Sequence, residues 1–190
     1  MQGSVGYNLG FAAAVCLVCA VVVSTAAVVL ADRQERNATL FKQKNVLLVA
    51  GLANEDESLS AEEVADRFAP ITQLIVDVAT GDVVEGVDAA TYDQRVAAVD
   101  PARSRVAPAN PARVMRVPNQ AAVYEVRDPS GALEMVAVPI EGLGLWGTLY
   151  GFIALEGDLR TVRGLTFYEH KETPGLGGEV DNPSWKALWR

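Results

Sequence analysis

The chain has 190 residues, 16 Lys and Arg against 24 Asp and Glu, and a formal net charge of −8. An acidic chain with no dense Lys/Arg stripe is excluded as a nucleic-acid binder, because phosphate neutralisation needs clustered cations. One histidine, His170, and two cysteines, Cys16 and Cys19, exclude a multi-histidine metal centre, a disulfide framework and a four-thiolate zinc site.

Residues 1–31 contain no Asp, Glu, Lys or Arg, so all of the charge lies from Asp32 onward. The apolar run at 9–31 makes about 34 Å of helix at about 1.5 Å per residue, enough to cross a bilayer core of about 30 Å. It is longer than the apolar region of a cleaved signal peptide, and its start carries no cation, so it is read as a retained anchor over 1–31. Thr25 and Ser24 can bond back to carbonyls of the preceding turn. Cys16 and Cys19 share a helix face at i, i+3 and are expected to pack there as small apolar residues. Arg33, Arg36, Lys42 and Lys44 follow the segment. By the positive-inside rule alone they would place the large domain in the cytoplasm.

The rest, 32–190, is expected to be one soluble domain. The helix continues out of the anchor to about residue 52, with Leu40, Val46, Leu47 and Leu48 as contacts and Gly51 as its stop. Ser60-Ala61-Glu62-Glu63 is a capping box, followed by Val64 and Phe68 at i, i+4. Residues 72–85 read as a hairpin about Thr80-Gly81-Asp82. Thr91-Tyr92-Asp93-Gln94 is a second capping box, with Tyr92, Val96 and Val99 as the buried stripe. Pro108, Pro111 and Pro118 mark a loop. Four strands follow at 122–127, 133–140, 148–155 and 161–169. Helices first and consecutive strands later give an α+β fold with an antiparallel sheet.

Gly142-Leu143-Gly144-Leu145-Trp146-Gly147 satisfies G-x-G-x-x-G, but a strand rather than a helix follows it. It is therefore read as an inter-strand connection that exposes Trp146, not as a dinucleotide site. Residues 170–179 leave the last strand through Thr173-Pro174-Gly175-Leu176-Gly177-Gly178. Such a loop brings backbone N–H groups near a ligand and sets Leu176 out on a glycine turn. Asn182-Pro183 opens a short helix carrying Trp185, Leu188 and Trp189.

These residues resemble the NqrC family, a component of the sodium-translocating NADH:quinone oxidoreductase, along nearly the whole chain. The specific parts are Ser24-Thr25-Ala26-Ala27-Val28, Thr91-Tyr92-Asp93-Gln94-Arg95, Gly144-Leu145-Trp146 and Tyr168-Glu169. Most specific are Glu172-Thr173-Pro174-Gly175-Leu176-Gly177-Gly178-Glu179-Val180 and Asn182-Pro183-Ser184-Trp185. The resemblance implies a single-pass subunit with a periplasmic FMN-carrying domain. It would relay electrons in an inner-membrane complex that oxidises NADH with quinone and exports sodium ions. NADH and quinone would be handled by partner subunits, and this chain alone would have no independent activity.

The implied FMN-binding residues are Leu145, Trp146, Glu172, Thr173, Gly175, Leu176 and Gly177, with no catalytic acid or base. In the family, FMN is joined by a phosphoester to the threonine of Ser-Gly-Ala-Thr. The nearest string here is Ser130-Gly131-Ala132-Leu133, which lacks that threonine, and the chain is expected to be C-terminally incomplete. Two alternatives remain at this point. One is RnfG, the sibling component of the related Rnf electron-transport complex. The other is a membrane-anchored interaction module without flavin.

Overall fold

A computed structural model describes residues 5–189; the first four residues of the expected anchor and Arg190 lie outside them. The chain forms two compact units, Met1–Phe41 and Lys42–Arg190. The first unit is helical throughout its described part, within α1 (Val5–Val49). Its side chains are exposed on every face, and it is long and apolar enough to cross a membrane. Before Asp32 this helix carries no charge on any face, and lipid is a solvent that suits such a stretch. Thr25 Oγ1 donates to the Val21 carbonyl at 2.8 Å, the back-bond expected of a hydroxyl in an apolar helix.

The second unit is built on a five-stranded antiparallel sheet. Its strands are β1 (Ile71–Asp77), β4 (Gln120–Arg127), β5 (Leu133–Leu143), β6 (Thr148–Glu156) and β7 (Val162–Glu169), in the order β1-β4-β5-β6-β7. A small ribbon of β2 (Ser104–Val106) and β3 (Arg116–Pro118) lies apart from the sheet. The α+β fold and the four-strand meander stand as the alternation of the sequence indicates. The strand ends move by one to three residues.

Side-chain alternation sends Tyr124, Met135, Ala137, Phe152, Ala154 and Thr166 to one buried face. The last turns of α1 close that face with Val46, Leu47 and Val49. A Cβ at Gly164 would meet the Val49 carbonyl oxygen at 2.7 Å, so this glycine lets helix and strand approach closely. The helix ends where Gly51 was expected to stop it: Leu52 N–H bonds Leu47 O at 2.9 Å and Gly51 N–H bonds Leu48 O at 3.2 Å. Phe68, on α2 (Ala61–Phe68), packs edge-on to Tyr124 at 6.1 Å. Phe152 stands edge-on to Tyr124 at 5.7 Å and stacks on Tyr168 at 5.2 Å. Burial pushes the Tyr124 phenol up to about 12. The Ser60 capping box forms in both directions, Ser60 N–H to Glu63 at 2.8 Å and Glu63 N–H to Ser60 Oγ at 3.3 Å.

Three local expectations are corrected. The hairpin of 72–85 makes its turn, but its second arm is reduced to a bridge between Val83 and Val76, and β1 pairs with β4 instead. The cap of α3 (Gln94–Val99) is Asp93, which accepts from Arg95 and Val96 N–H at 2.8 and 3.1 Å; Thr91 bonds back to Asp88. Asp93 lies one residue before the first helical turn and so reaches its free N–H groups, which Thr91 does not. Val96 and Val99 are exposed rather than buried, and α3 buries Ala97 beside Tyr92.

Candidate functional site

Two connections rise from the same end of the sheet. Residues 144–147 join β5 to β6, closed by Gly144 N–H to Gly147 O at 2.8 Å. The other leaves β7 at His170 and runs through Gly175 into a 3-10 turn at Gly177–Asp181. Gly175 has φ +76°, the left-handed region that favours glycine.

Glu172 ties the two connections together. Its Oε1 accepts from Trp146 N–H at 3.0 Å, across 26 residues of sequence. A Cβ on either Gly144 or Gly177 would collide with the Glu172 carboxylate. Glycine at both positions is what admits the carboxylate between the loops. Glu172 is held in turn by His170: Glu172 N–H donates to His170 Nδ1 at 3.2 Å, and His170 Nε2 lies 2.8 Å from Asp181 Oδ2. An imidazole that accepts at Nδ1 carries its proton on Nε2, so the ring donates to Asp181.

The tied loops leave three large apolar side chains in the open: Leu145 at 80% exposed, Trp146 at 64% and Leu176 at 73%. The connection over 142–147 thus exposes Trp146, and Leu176 does not plug the core. Gly175 and Gly177 N–H groups make no hydrogen bond among the described residues. Thr173 is exposed and its carbonyl takes the Leu176 and Gly178 N–H groups at 3.1 and 3.0 Å. Apolar walls beside unspent N–H donors suit a planar ring with a polar edge, and on that ground these residues fit a flavin. Below the loop, the helix α4 (Pro183–Lys186) starts as expected, with Asn182 capping Ser184 N–H at 2.9 Å. Its Trp185 faces Phe167 at 6.3 Å, and Lys186 pairs with Glu55 at 2.7 Å.

The sequence did not indicate Arg95 as a junction. Its guanidinium lies 3.6 Å from the centre of the Tyr150 ring, pairs with Glu169 at 2.8 Å and donates to the Tyr168 hydroxyl at 3.1 Å. The segments 91–95 and 168–169, each part of the family resemblance, therefore meet in one contact. Burial raises the Tyr168 phenol, and Arg95 opposes that rise.

Comparison with known proteins bears on these residues directly. The family model described as FMN-binding domain matches residues 144–189, which hold all seven residues singled out above. The NqrC component of the Na(+)-translocating NADH-quinone reductase from Vibrio vulnificus is 46% identical over 187 residues, 97% of this chain and 71% of that protein. Its counterpart from Pseudomonas aeruginosa is 46% identical over 191 residues, 99% and 72% of the two chains. The crystal structure of Shewanella oneidensis NqrC aligns at a TM-score of 0.71 and 35% identity, covering 83% of this chain and 70% of that one. These matches do not favour the RnfG alternative.

Proposed function

The chain belongs to the NqrC family of the Na(+)-translocating NADH-quinone reductase, and from that premise we propose that its two tied loops hold FMN. The chain is an electron-transfer subunit of that reductase complex, with its other subunits as partners. Leu145, Trp146, Glu172, Thr173, Gly175, Leu176 and Gly177 form the site. The observation that carries the assignment is the exposure of Leu145, Trp146 and Leu176 on loops that Glu172 holds in register.

FMN supplies reversible electron uptake and release when bound. The protein's residues do the rest. Trp146 and Leu176 exclude water; covering an apolar side chain of this size is worth about 1.5–3 kcal/mol. The Gly175 and Gly177 N–H groups are free to donate to the ring's polar edge. Glu172 is committed to Trp146 N–H and so positions the loop rather than moving protons. The His170–Asp181 pair steadies Glu172 from behind. The string Ser130-Gly131-Ala132-Leu133 runs from the β4–β5 turn into β5 at the other end of the sheet, and the contacts with the ring are assigned to the two loops.

The test is Leu176→Asp and Trp146→Ala in the full chain, matured with its normal assembly partners. Each is expected to raise the dissociation constant for added FMN about fivefold, roughly 1 kcal/mol, and to shift the flavin potential. Unchanged flavin absorbance and potential in both variants would refute the site.

We also place α1 in the inner membrane with the sheet domain on the periplasmic side, since large domains translocate despite a few flanking cations. A Ser130→Cys variant in intact cells is expected to react with a membrane-impermeant maleimide. Reaction only after lysis would reverse the orientation.

A further inference from the structure

An open groove of about 700 Å³ lies between α3, the β2–β3 ribbon and the β5–β6 end of the sheet, and its lining reaches Leu143 and Thr148 but none of the seven residues assigned to FMN. Three observations single it out. The first is charge. The chain carries −8, yet residues 94–118 hold five arginines against the single acid Asp100. Arg95, Arg113 and Arg116 line the groove, with Glu141 as its one carboxylate. Arg113 makes no ion pair among the described residues.

The second is apolar exposure. Val106 and Met115 line the groove at 73% and 79% exposed, with Val99 and Leu143 also open. Four clustered apolar side chains of this size on the surface of an acidic domain mark an interaction site rather than ordinary surface.

The third is rigidity. Asn110 Nδ2 donates to the Pro108 and Val114 carbonyls at 2.8 and 3.0 Å, and its Oδ1 accepts from Val114 N–H at 3.0 Å. Leu143 N–H bonds the Ala112 carbonyl at 2.8 Å and fastens the loop to β5. Between these anchors Arg113 sits at φ +53°, a conformation that non-glycine residues seldom keep without a surrounding structure that enforces it. The loop therefore presents Arg113 and Met115 in a fixed place, so little ordering entropy is lost on binding.

We propose that this groove seats an acidic segment, bearing apolar side chains, of a neighbouring subunit in the membrane complex. Charge complementarity selects the occupant: with Arg95 already paired to Glu169, Arg113 and Arg116 stand against the one carboxylate Glu141 and favour Asp- or Glu-rich partners over basic ones. The exposed Val and Met side chains take its apolar residues. This proposal rests on membership in the reductase complex.

The test uses the full chain in membranes with the remaining subunits of the complex. A photo-crosslinking residue is placed at Val106, with Ser130 on the far β4–β5 turn as the control position. The expected result is a crosslink from 106, absent from 130, to one partner subunit, mapping to a peptide rich in Asp and Glu. Arg113→Glu with Met115→Asp is expected to lower the yield about fivefold, and Arg113→Gln by less. Crosslinks to lipid, to a second copy of this chain or within the chain itself overturn the proposal. So does a yield unmoved by those substitutions. A complex that assembles while position 106 stays silent refutes the groove alone. Failure to recover any partner subunit on the unsubstituted chain refutes the underlying membership in the complex, and the groove with it.

Discussion

Phe152→Ala is expected to cost the sheet domain about 3–5 kcal/mol, the range for deleting a buried aromatic ring from a packed core. Phe152 is 2% exposed, stands edge-on to Tyr124 at 5.7 Å and stacks on Tyr168 at 5.2 Å. No neighbour is free to collapse into the gap. Tyr124 is fixed against Phe68, and Tyr168 is held by Arg95 through its hydroxyl. At roughly 2–4 °C per kcal/mol for a domain of this size, the melting temperature should fall by about 10 °C. The signal is the loss of sheet circular dichroism on heating in detergent, with Phe152→Leu as the volume-sparing control. A fall of less than about 1 kcal/mol would mean that the buried face is organised around other residues.

Glu172→Ala should weaken FMN binding about thirtyfold, close to 2 kcal/mol. The carboxylate is a charged acceptor for Trp146 N–H, and such hydrogen bonds are worth about 1.5–3 kcal/mol. Its loss also removes the group wedged against Gly144 and Gly177, so both loops lose their common support. Glu172→Gln keeps an acceptor oxygen at the same reach and should lose no more than a few-fold. This order, Ala far weaker than Gln, separates a positioning role from a charge role. If Gln were as weak as Ala, the negative charge itself would be what the site needs.

Much of this architecture is legible in the chain because the signals are local. The strands β4 to β7 are short alternating runs divided by Asp128-Pro129-Ser130-Gly131, the glycine connection at 142–147 and Glu156-Gly157-Asp158. The Ser60 box is read correctly because its two partners lie three residues apart. What was missed depends on distance or on competition between near neighbours. The pairing of β1 with β4 joins Ile71 to Val126, and no turn signal links strands so far apart. Thr91 and Asp93 are both good caps, and the choice depends on where the helix starts. The two exposed valines of α3 follow from its six residues, which bury a single turn's worth of surface at Ala97.

The site divides in the same way. The glycine-rich spacing at 172–178 announces a loop that approaches something closely. The Glu172–Trp146 bond and the Arg95–Tyr150 contact span 26 and 55 residues, and only the folded sheet brings them together. The arginines of 95–116 stand in the sequence, but Pro108, Pro111 and Pro118 mark the region as a loop, whereas Ser104–Val106 and Arg116–Pro118 pair as β2 and β3. Its asymmetry of charge was the signal that could have identified the groove.

The central claim is that FMN lies against Trp146. The most direct measurement is 19F NMR of the full chain in detergent with its three tryptophans fluorinated, the 146 resonance being identified by Trp146→Phe. On titration with FMN, the resonance of Trp146 is expected to shift while those of Trp185 and Trp189 stay in place. Saturable FMN binding that leaves the Trp146 resonance unmoved would contradict the account.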